Sequence, residues 1–184
     1  MSCVIRGIVI VILVATGSTA FAQQWGGHQR REHEPKLYDA NGKFVGVVVD
    51  APMGDGSDGG VLMDVNGAAV MVGFALEKGA DGSQSASRLI WSGVSPSYSG
   101  ANCTGIPRIP YVLGPLRPAA IERKGAKATL LVAKDEPSRM MLVRSTVYPS
   151  GCSNYVEDAS FSVWAIGDSL NLTDRYPEPL RIGN

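Results

Sequence analysis

Histidine is nearly absent from this chain of 184 residues, which holds two, His28 and His33. Both lie near the start, in the polar and charged segment 23–35, and none follows. Ser-His-Asp and Cys-His catalysis need a rigidly held imidazole as the base, and zinc sites commonly use imidazole ligands. The scarcity argues strongly against the common hydrolase mechanisms. We therefore expect a protein that is not an enzyme and that uses no cofactor.

An excess of charge of either sign is also lacking. Lys and Arg together number 17, Asp and Glu together number 17, and the net charge is +0 at pH 7. This balance gives no reason to expect nucleic acid or an anionic membrane surface as a partner. Beyond residue 22 no apolar run approaches the roughly 20 residues that a transmembrane helix needs. We therefore expect no membrane span after that point.

The one long apolar run stands at the start of the chain and has the features of a secretory signal. A basic residue precedes it, and Ala20-Phe21-Ala22 follows it with the small-x-small pattern that a signal peptidase cuts after. The alternative is a transmembrane anchor, which is disfavoured because polar and small residues interrupt the run too early. The pattern predicts a signal peptide over residues 1–22, cleavage before Gln23, and a secreted or periplasmic protein.

Cysteine is scarce too. Cys3 precedes the apolar run and is lost with the signal, which leaves Cys103 and Cys152. An even number of cysteines in an oxidising compartment predicts one disulfide. It would close a loop of about 50 residues and stabilise the fold by roughly 4 kcal/mol in the chain-entropy treatment. The alternative is a reactive thiol, which needs a nearby base or positive charge, and neither cysteine has a histidine close in sequence.

Turn-forming pairs between strand-like runs indicate hairpins in the remainder of the chain. Asn41-Gly42 and Asn66-Gly67 each separate two such runs, and both residue types accept the positive φ angles of a tight hairpin turn. Residues 119–134 contain the Ala and Glu of a helix, but a central glycine and a β-branched run favour a third hairpin. We also expect strands over residues 88–91, 108–113, 140–148 and 161–166, and loops over 51–60, 77–86, 92–105 and from residue 171 onward.

Domain organisation and fold class follow from this pattern. The polar segment 23–35 lacks apolar periodicity, so we interpret it as a flexible leader. Residues 36–184 suit a single β-rich domain. Short strands separated by turn signals, without a convincing amphipathic helix, predict an all-β fold. We expect an antiparallel sandwich or small barrel built from hairpins and carrying one disulfide.

Short motifs carry a resemblance to known proteins across most of this domain. They are the run 37–46, the triplet 65–67, and the segment 102–105 with the later Cys152. Through these motifs the chain resembles a loose group of small exported bacterial proteins that are β-rich and of unassigned function. Some of that group resemble pieces of tail-fibre or surface proteins. The resemblance implies an extracytoplasmic bacterial protein and supplies no catalytic residue.

One candidate metal site lies in the Gly-rich loop 51–60. Asp55 and Asp58 would offer carboxylate oxygens there, and the glycines allow the sharp turn that calcium sites use. The loop lacks the alternating ligands and the closing glutamate of an EF-hand. Solvated turn carboxylates are therefore the alternative interpretation of this pair.

Aromatic side chains provide the candidate binding surface. Trp91, Tyr98 and Tyr111 are flat amphipathic rings that suit a glycan or peptide, and Trp164, Tyr148 and Tyr155 are of the same kind. The alternative is that these rings belong to the core or to its rim. We predict a surface that includes the first three.

One function is preferred on these grounds and two alternatives remain open. We expect an exported, non-catalytic β-rich binding or structural module of the cell envelope or extracellular space. Its partner would be a protein or a glycan that meets loops such as residues 92–105. The first alternative is a small glycan hydrolase that uses two carboxylates. The second is an inhibitor or accessory of another exported enzyme, acting through the loop near Cys103.

Overall fold

Thirteen β-strands and one short α-helix form the regular structure of the residues that the computed structural model describes. These residues are 34–49, 57–110, 112, 114–148 and 151–184, with the backbone alone at 157 and 158. The strands are β1 (Lys36–Tyr38), β2 (Phe44–Val49), β3 (Gly59–Val65), β4 (Ala68–Lys78), β5 (Gln84–Trp91), β6 (Ser97–Tyr98), β7 (Pro107–Pro110), β8 (Ala119–Lys124), β9 (Lys127–Ala133), β10 (Arg139–Tyr148), β11 (Gly151–Trp164), β12 (Ile166–Asn171) and β13 (Arg181–Gly183). The helix α1 (Leu172–Arg175) lies between β12 and β13.

Several sequence predictions concern residues outside these ranges. The predicted signal peptide over residues 1–22 and its cleavage point between Ala22 and Gln23 lie outside the described residues, as do Asp55 and Tyr111. The predictions for these positions therefore stay predictions. Within the described ranges, no helix has both the length and the hydropathy needed to cross a membrane.

Six strands form the largest sheet, in the order β13-β1-β2-β3-β4-β5, and each pairing is antiparallel. The sheet curves back on itself, because Leu89 in β5 and Leu180 just before β13 exchange two backbone hydrogen bonds of 2.9 and 2.8 Å. Alternate residues of β4 face inward, as the two-residue period of a strand requires, and bury Val70, Val72 and Phe74. The inner face of this closed sheet holds most of the main core.

A three-stranded sheet, in the order β12-β9-β8, packs against that core. Ile121 of β8 and Leu130 of β9 belong to the same buried cluster as Trp91 of β5. The helix α1 adds the fully buried Leu172 to this cluster. Asn171 caps the helix, since its side-chain oxygen accepts a hydrogen bond from the backbone of the first turn. The short helix thus closes the space beside β9.

The remaining four strands close into a small ring in the order β10-β11-β7-β6, with β6 pairing back to β10. The strands β10 and β11 form a long hairpin, whereas β6 and β7 are short. Val143 and Val163 are buried where the hairpin meets the rest of the fold. A second buried cluster joins the ring to the three-stranded sheet and consists of Ile109, Ala120, Leu131 and Ala133.

The predicted all-β hairpin fold is confirmed. Asn66-Gly67 forms the turn between β3 and β4 with both φ angles positive, at 52° and 82°, which is the geometry of the expected tight turn. The segment 119–134 forms a hairpin rather than a helix, and Gly125 stands at its turn with φ 61°. The first predicted hairpin is also present, as β1 and β2.

Two segments that the sequence predicted to be irregular are largely ordered by strand pairing. The loop predicted over 77–86 shrinks to a short turn, because β4 continues to Lys78 and β5 begins at Gln84. The tail from residue 171 contains α1 and the strand β13, which pairs with β1. The polar side chains of these strands are mostly exposed while their backbones bond to neighbours. Local composition cannot reveal such a neighbour when it lies far away in sequence.

Candidate functional site

The predicted disulfide is present and links two surface segments. Cys103, in the loop between β6 and β7, is bonded to Cys152 at the start of β11, with a Cα–Cα distance of 5.8 Å. Cys152 pairs with Val147 of β10, next to the turn of the long hairpin. The bond therefore ties the β6–β7 loop to the turn end of the hairpin. A disulfide is compatible with an extracellular location.

Hydrogen bonds hold the same loop in a conformation that costs energy. Asn102 and Cys103 both have φ 54°, a left-handed value that non-glycine residues adopt at a cost of order 1 kcal/mol or more. The backbone N–H of Asn102 donates to Asn154 Oδ1 at 2.6 Å, and Asn154 Nδ2 donates back to Asn102 Oδ1 at 2.8 Å. The backbone N–H of Cys103 donates to the buried Ser145 Oγ at 2.8 Å. The loop is therefore fixed to both strands of the hairpin.

An extended bulge interrupts the hairpin beside this attachment. Val143 of β10 pairs with Ala159 of β11, but Ser145 pairs with Asn154. The segment 155–158 of β11 therefore lies opposite the single residue Arg144. A bulge bends a strand and redirects its side chains. The sequence predicted a strand only from residue 161 and gave no sign of this feature.

Aromatic and aliphatic side chains are exposed around the bulge. The rings of Tyr155 and Phe161 lie 5.2 Å apart between centroids and are inclined by 42°. Burial raises the pKa of Tyr155, and the neighbouring Tyr148 raises it further. Tyr148 is 51% exposed, Phe161 is 40% exposed and Val156 is completely exposed. We call these four residues, Tyr148, Tyr155, Val156 and Phe161, the hairpin surface.

Two of the three predicted surface rings lie in the core, so the prediction is wrong for them. Trp91 is fully buried, and its Nε1 donates to the backbone oxygen of Tyr176 at 3.1 Å. Tyr98 is buried as well, and its hydroxyl donates to Glu122 Oε1 at 2.6 Å. Both lie on strands whose inward face the sequence did not identify. Tyr111, the third, is outside the described residues.

The Tyr98 hydrogen bond belongs to a small polar chain that connects β6 to β8. Burial favours the neutral form of Glu122, but hydrogen bonds from Tyr98 and from Lys124 Nζ, at 2.9 Å, outweigh burial and lower its pKa. Burial, and then the hydrogen bond to Glu122, raise the pKa of Tyr98. Tyr98 therefore remains a donor and Glu122 an ionised acceptor at neutral pH. The chain has a structural role.

A second charged cluster fixes the C-terminal segment. Arg123 of β8 donates to both oxygens of Glu178, at 2.8 and 2.9 Å, and to the backbone oxygen of Trp91 at 2.8 Å. Glu178 also accepts from the backbone N–H of Trp91 at 2.7 Å. The hydrogen bond to Glu178 raises the pKa of Arg123, more than burial lowers it. The cluster thus joins β8, β5 and the segment before β13.

The predicted calcium pair is only half described. Asp58 Oδ2 accepts a hydrogen bond from the backbone N–H of Leu76 at 2.7 Å, which gives this carboxylate a structural role in holding β4. Asp55 lies outside the described residues, so the pair stays a prediction. Among the residues that are described, no three His, Cys, Asp or Glu side chains form a metal-binding group.

Two neighbouring carboxylates line a shallow cavity beside the Pro-rich loop after β7. Asp135 lies 3.0 Å from Arg117, and Glu136 lies 3.5 Å from Lys134. Each carboxylate is therefore engaged by a basic side chain. This ion pairing explains their position without catalysis, and the glycan-hydrolase alternative stays a prediction.

Comparison with known proteins assigns the chain to no family. No protein-family model, no curated protein and no solved structure matches it. The resemblance to small exported bacterial proteins therefore stays a prediction.

Proposed function

We propose that this protein is an exported, non-catalytic binding module that recognises a protein of the cell envelope or extracellular space through the hairpin surface. One observation carries the proposal. Aromatic and aliphatic side chains are exposed together on a hairpin that a disulfide and side-chain hydrogen bonds hold in place.

The composition of the hairpin surface supports binding. Tyrosine and other aromatic residues are enriched where protein interfaces carry most of their binding energy. Val156 leaves its whole side chain in water, and removing apolar surface from water is favourable by about 25 cal/mol per Å². A partner that covers Val156 and Phe161 would therefore gain binding free energy from the burial of their apolar surface.

Rigidity favours the same role. A surface that is ordered before it meets a partner loses less conformational entropy on binding. The disulfide from Cys103 to Cys152 and the paired Asn102 and Asn154 side chains supply that order at one end of the hairpin. The loop predicted to meet a partner, residues 92–105, is the one fastened there.

A protein fits this surface better than a glycan does. The rings of Tyr155 and Phe161 are inclined by 42°, so they do not form one flat platform for a sugar ring. Val156 is aliphatic and offers a sugar no hydrogen bond. A side chain of a partner protein can insert between inclined rings, as edge-to-face packing does within proteins.

Export is supported by two independent features of the chain. The start of the sequence has the charged, apolar and small-residue parts of a secretory signal. The disulfide is of the kind that persists in oxidising compartments. A secreted or periplasmic location is part of the proposal.

The test uses immobilised mature protein, residues 23–184, with envelope extract and culture medium as the sources of partner. Val156→Asp is the main variant, because a fully exposed side chain can be changed without disturbing the core. Phe161→Ser is the second. Phe44→Ser is the matched control, since Phe44 is 50% exposed but lies on β2 of the large sheet.

We expect one protein to bind the wild type and the Phe44→Ser control, and to bind the hairpin variants at least about 30-fold more weakly, as interface anchors do. Equal capture by all four proteins would contradict the proposal. So would binding to insoluble envelope glycan that survives Val156→Asp, or turnover of a glycan. If the captured protein is an exported hydrolase, its activity with and without the module distinguishes inhibitor from accessory.

A further inference from the structure

A second cavity lies at the other end of the long hairpin, where β10 begins and β11 ends. Its volume is about 420 Å³, within the range of small-molecule sites, which runs from about 300 to 1,000 Å³. We call it the arginine cavity. Its lining residues are Arg108, Glu136, Pro137, Arg139, Met140, Met141, Val163 and Ala165.

Two guanidinium groups line the arginine cavity without an acceptor among the residues that the structure describes. The Nε atom of Arg108 is buried and has no hydrogen-bond partner in the described part of the chain. Arg139 stands at the start of β10, opposite Val163, and forms no ion pair with any described residue. A buried donor without an acceptor destabilises the folded protein, and more so when it is charged. An anion in the cavity would remove that destabilisation at Arg108.

The remaining lining indicates what is attached to the anion. Five of the eight lining residues are apolar, and two of these are methionines, whose flexible side chains adapt to irregular ligands. Glu136 is the one acidic member, and Lys134 Nζ lies 3.5 Å from its carboxylate. Lys134 itself does not line the cavity, and among the lining side chains the positive charges of Arg108 and Arg139 exceed the negative charge of Glu136 by one. This lining fits a singly charged head on an apolar body better than it fits a dianion.

We propose that the arginine cavity binds a small amphiphilic carboxylate, whose head is held by Arg108 and Arg139 and whose apolar body packs on Met140, Met141 and Val163. A planar carboxylate matches the fork of a guanidinium and can accept two parallel hydrogen bonds from it. In this arrangement the unpaired Nε–H of Arg108 donates to the carboxylate head. The carboxylate comes from a fatty acid or from the C-terminus of a peptide.

This site is distinct from the hairpin surface, although the two meet at one place, where Phe161 of the surface pairs with Met141 of the cavity across the hairpin. Arg139 and Tyr148 lie at opposite ends of β10, nine residues apart, which corresponds to roughly 30 Å of strand. The amphiphile proposal does not depend on the proposed protein partner. Val156→Asp, which tests the hairpin surface, leaves every residue of the arginine cavity in place. Failure of one proposal is therefore distinguishable from failure of the other.

The experiment follows the methyl signals of ¹³C-labelled methionine in the mature protein by NMR during ligand titration. Met140 and Met141 report on the cavity, and Met63 and Met71, on β3 and β4, are internal controls. The probes are n-hexanoate and N-acetyl-leucine, which represent the two sources. Hexanol and N-acetyl-leucinamide are their uncharged counterparts, and hexyl phosphate tests a dianion.

We expect hexanoate or N-acetyl-leucine to shift Met140 and Met141 in a saturable way, with a Kd of about 1 mM or tighter. The uncharged counterparts and hexyl phosphate should bind at least about tenfold more weakly. Arg108→Gln and Arg139→Gln should each weaken carboxylate binding about tenfold or more. Arg181→Gln, which removes an exposed charge on β13, should leave it unchanged.

Three outcomes would overturn the proposal. The first is the absence of saturable shifts for both carboxylates at about 10 mM, tenfold above the expected Kd. The second is equal binding of hexanol and hexanoate. The third is unchanged carboxylate affinity in Arg139→Gln, an exposed residue whose replacement does not threaten folding. Unchanged affinity in Arg108→Gln counts in the same way, provided that circular dichroism shows this variant to be folded.

Discussion

Asn102 and Asn154 bind each other through two hydrogen bonds, of 2.6 and 2.8 Å, across the gap between the β6–β7 loop and β11. Each stands within two residues of a cysteine of the disulfide between Cys103 and Cys152. One covalent bond and a reciprocal pair of polar contacts therefore fasten the same two segments. Their contributions to stability should depend on each other.

Removing the disulfide should destabilise the fold substantially. The double variant Cys103→Ser/Cys152→Ser frees a loop of 49 residues in the unfolded chain, which lowers the free energy of unfolding by about 3–4 kcal/mol. Urea unfolding of the mature protein, with reduced wild type alongside, measures it. A loss below about 1 kcal/mol would contradict the expectation. Thiol titration of unfolded, unreduced mature protein should find no free thiol.

The asparagine pair should contribute less, and its contribution should change when the disulfide is absent. Asn154→Ala removes the two side-chain hydrogen bonds to Asn102 and should cost about 1 kcal/mol, because the site is exposed. Contacting groups give non-additive effects of about 0.5–3 kcal/mol. A double-mutant cycle that combines Asn154→Ala with the serine pair therefore measures the coupling. Strict additivity would show that the disulfide and the asparagine pair stabilise the fold independently.

The ion pair between Arg123 and Glu178 should matter far more than a surface pair. Glu178→Gln leaves the partly buried Arg123 without its countercharge, and we expect a loss of about 2 kcal/mol in unfolding free energy. Glu77→Gln is the matched control, since its pair with Arg88 is more exposed and worth about 0–1 kcal/mol. Equal effects in urea unfolding would argue against a structural role for Glu178.

Acid should weaken the fold partly through Glu122. Its pKa is lower in the folded protein than in the unfolded chain, so the unfolded state takes up a proton more readily. The resulting stability is fully present above the unfolded value of about 4.5 and is lost as the pH falls through the folded value. Glu122→Gln should reduce the slope of the unfolding free energy against pH in this range, as measured by urea unfolding at a series of pH values.

The hydrogen bond from Tyr98 tests the cause of that pH dependence. Tyr98→Phe removes one of the two donors that lower the Glu122 pKa, and should therefore reduce the dependence of the unfolding free energy on pH as the pH falls below about 5. Glu136→Gln, at an exposed ion pair, serves as the comparison. A wild-type slope in Tyr98→Phe would show that the lowered pKa does not come from this contact.

The local parts of the fold could be predicted from sequence because their signals are local. Asn66-Gly67 specifies its turn through its own φ preferences, and the two cysteines beyond the predicted signal peptide allow only one pairing. The strand β13 could not be predicted in this way. Its pairing partner β1 lies at the other end of the domain, and Arg181–Gly183 carries no β-branched run of its own.

The candidate site was predictable only in part. Tyr148 and Tyr155 are of the residue type expected at a binding surface, but sequence alone could not distinguish them from the buried Tyr98. Alternate residues of a strand face opposite sides, so a tyrosine's exposure depends on register. The bulge over 155–158 resets that register within β11. Only the pairing with β10 reveals it.

The pairing of β1 with β13 has a consequence for biosynthesis. The strand β1 is synthesised early, but one of its two neighbours, β13, follows almost the whole domain later. Until β13 is synthesised, one edge of β1 has unpaired backbone N–H and C=O groups, which can bond to other polypeptides. Contacts between such distant segments also slow folding. We therefore expect newly made molecules to aggregate readily, and a holding chaperone to raise the yield of folded protein.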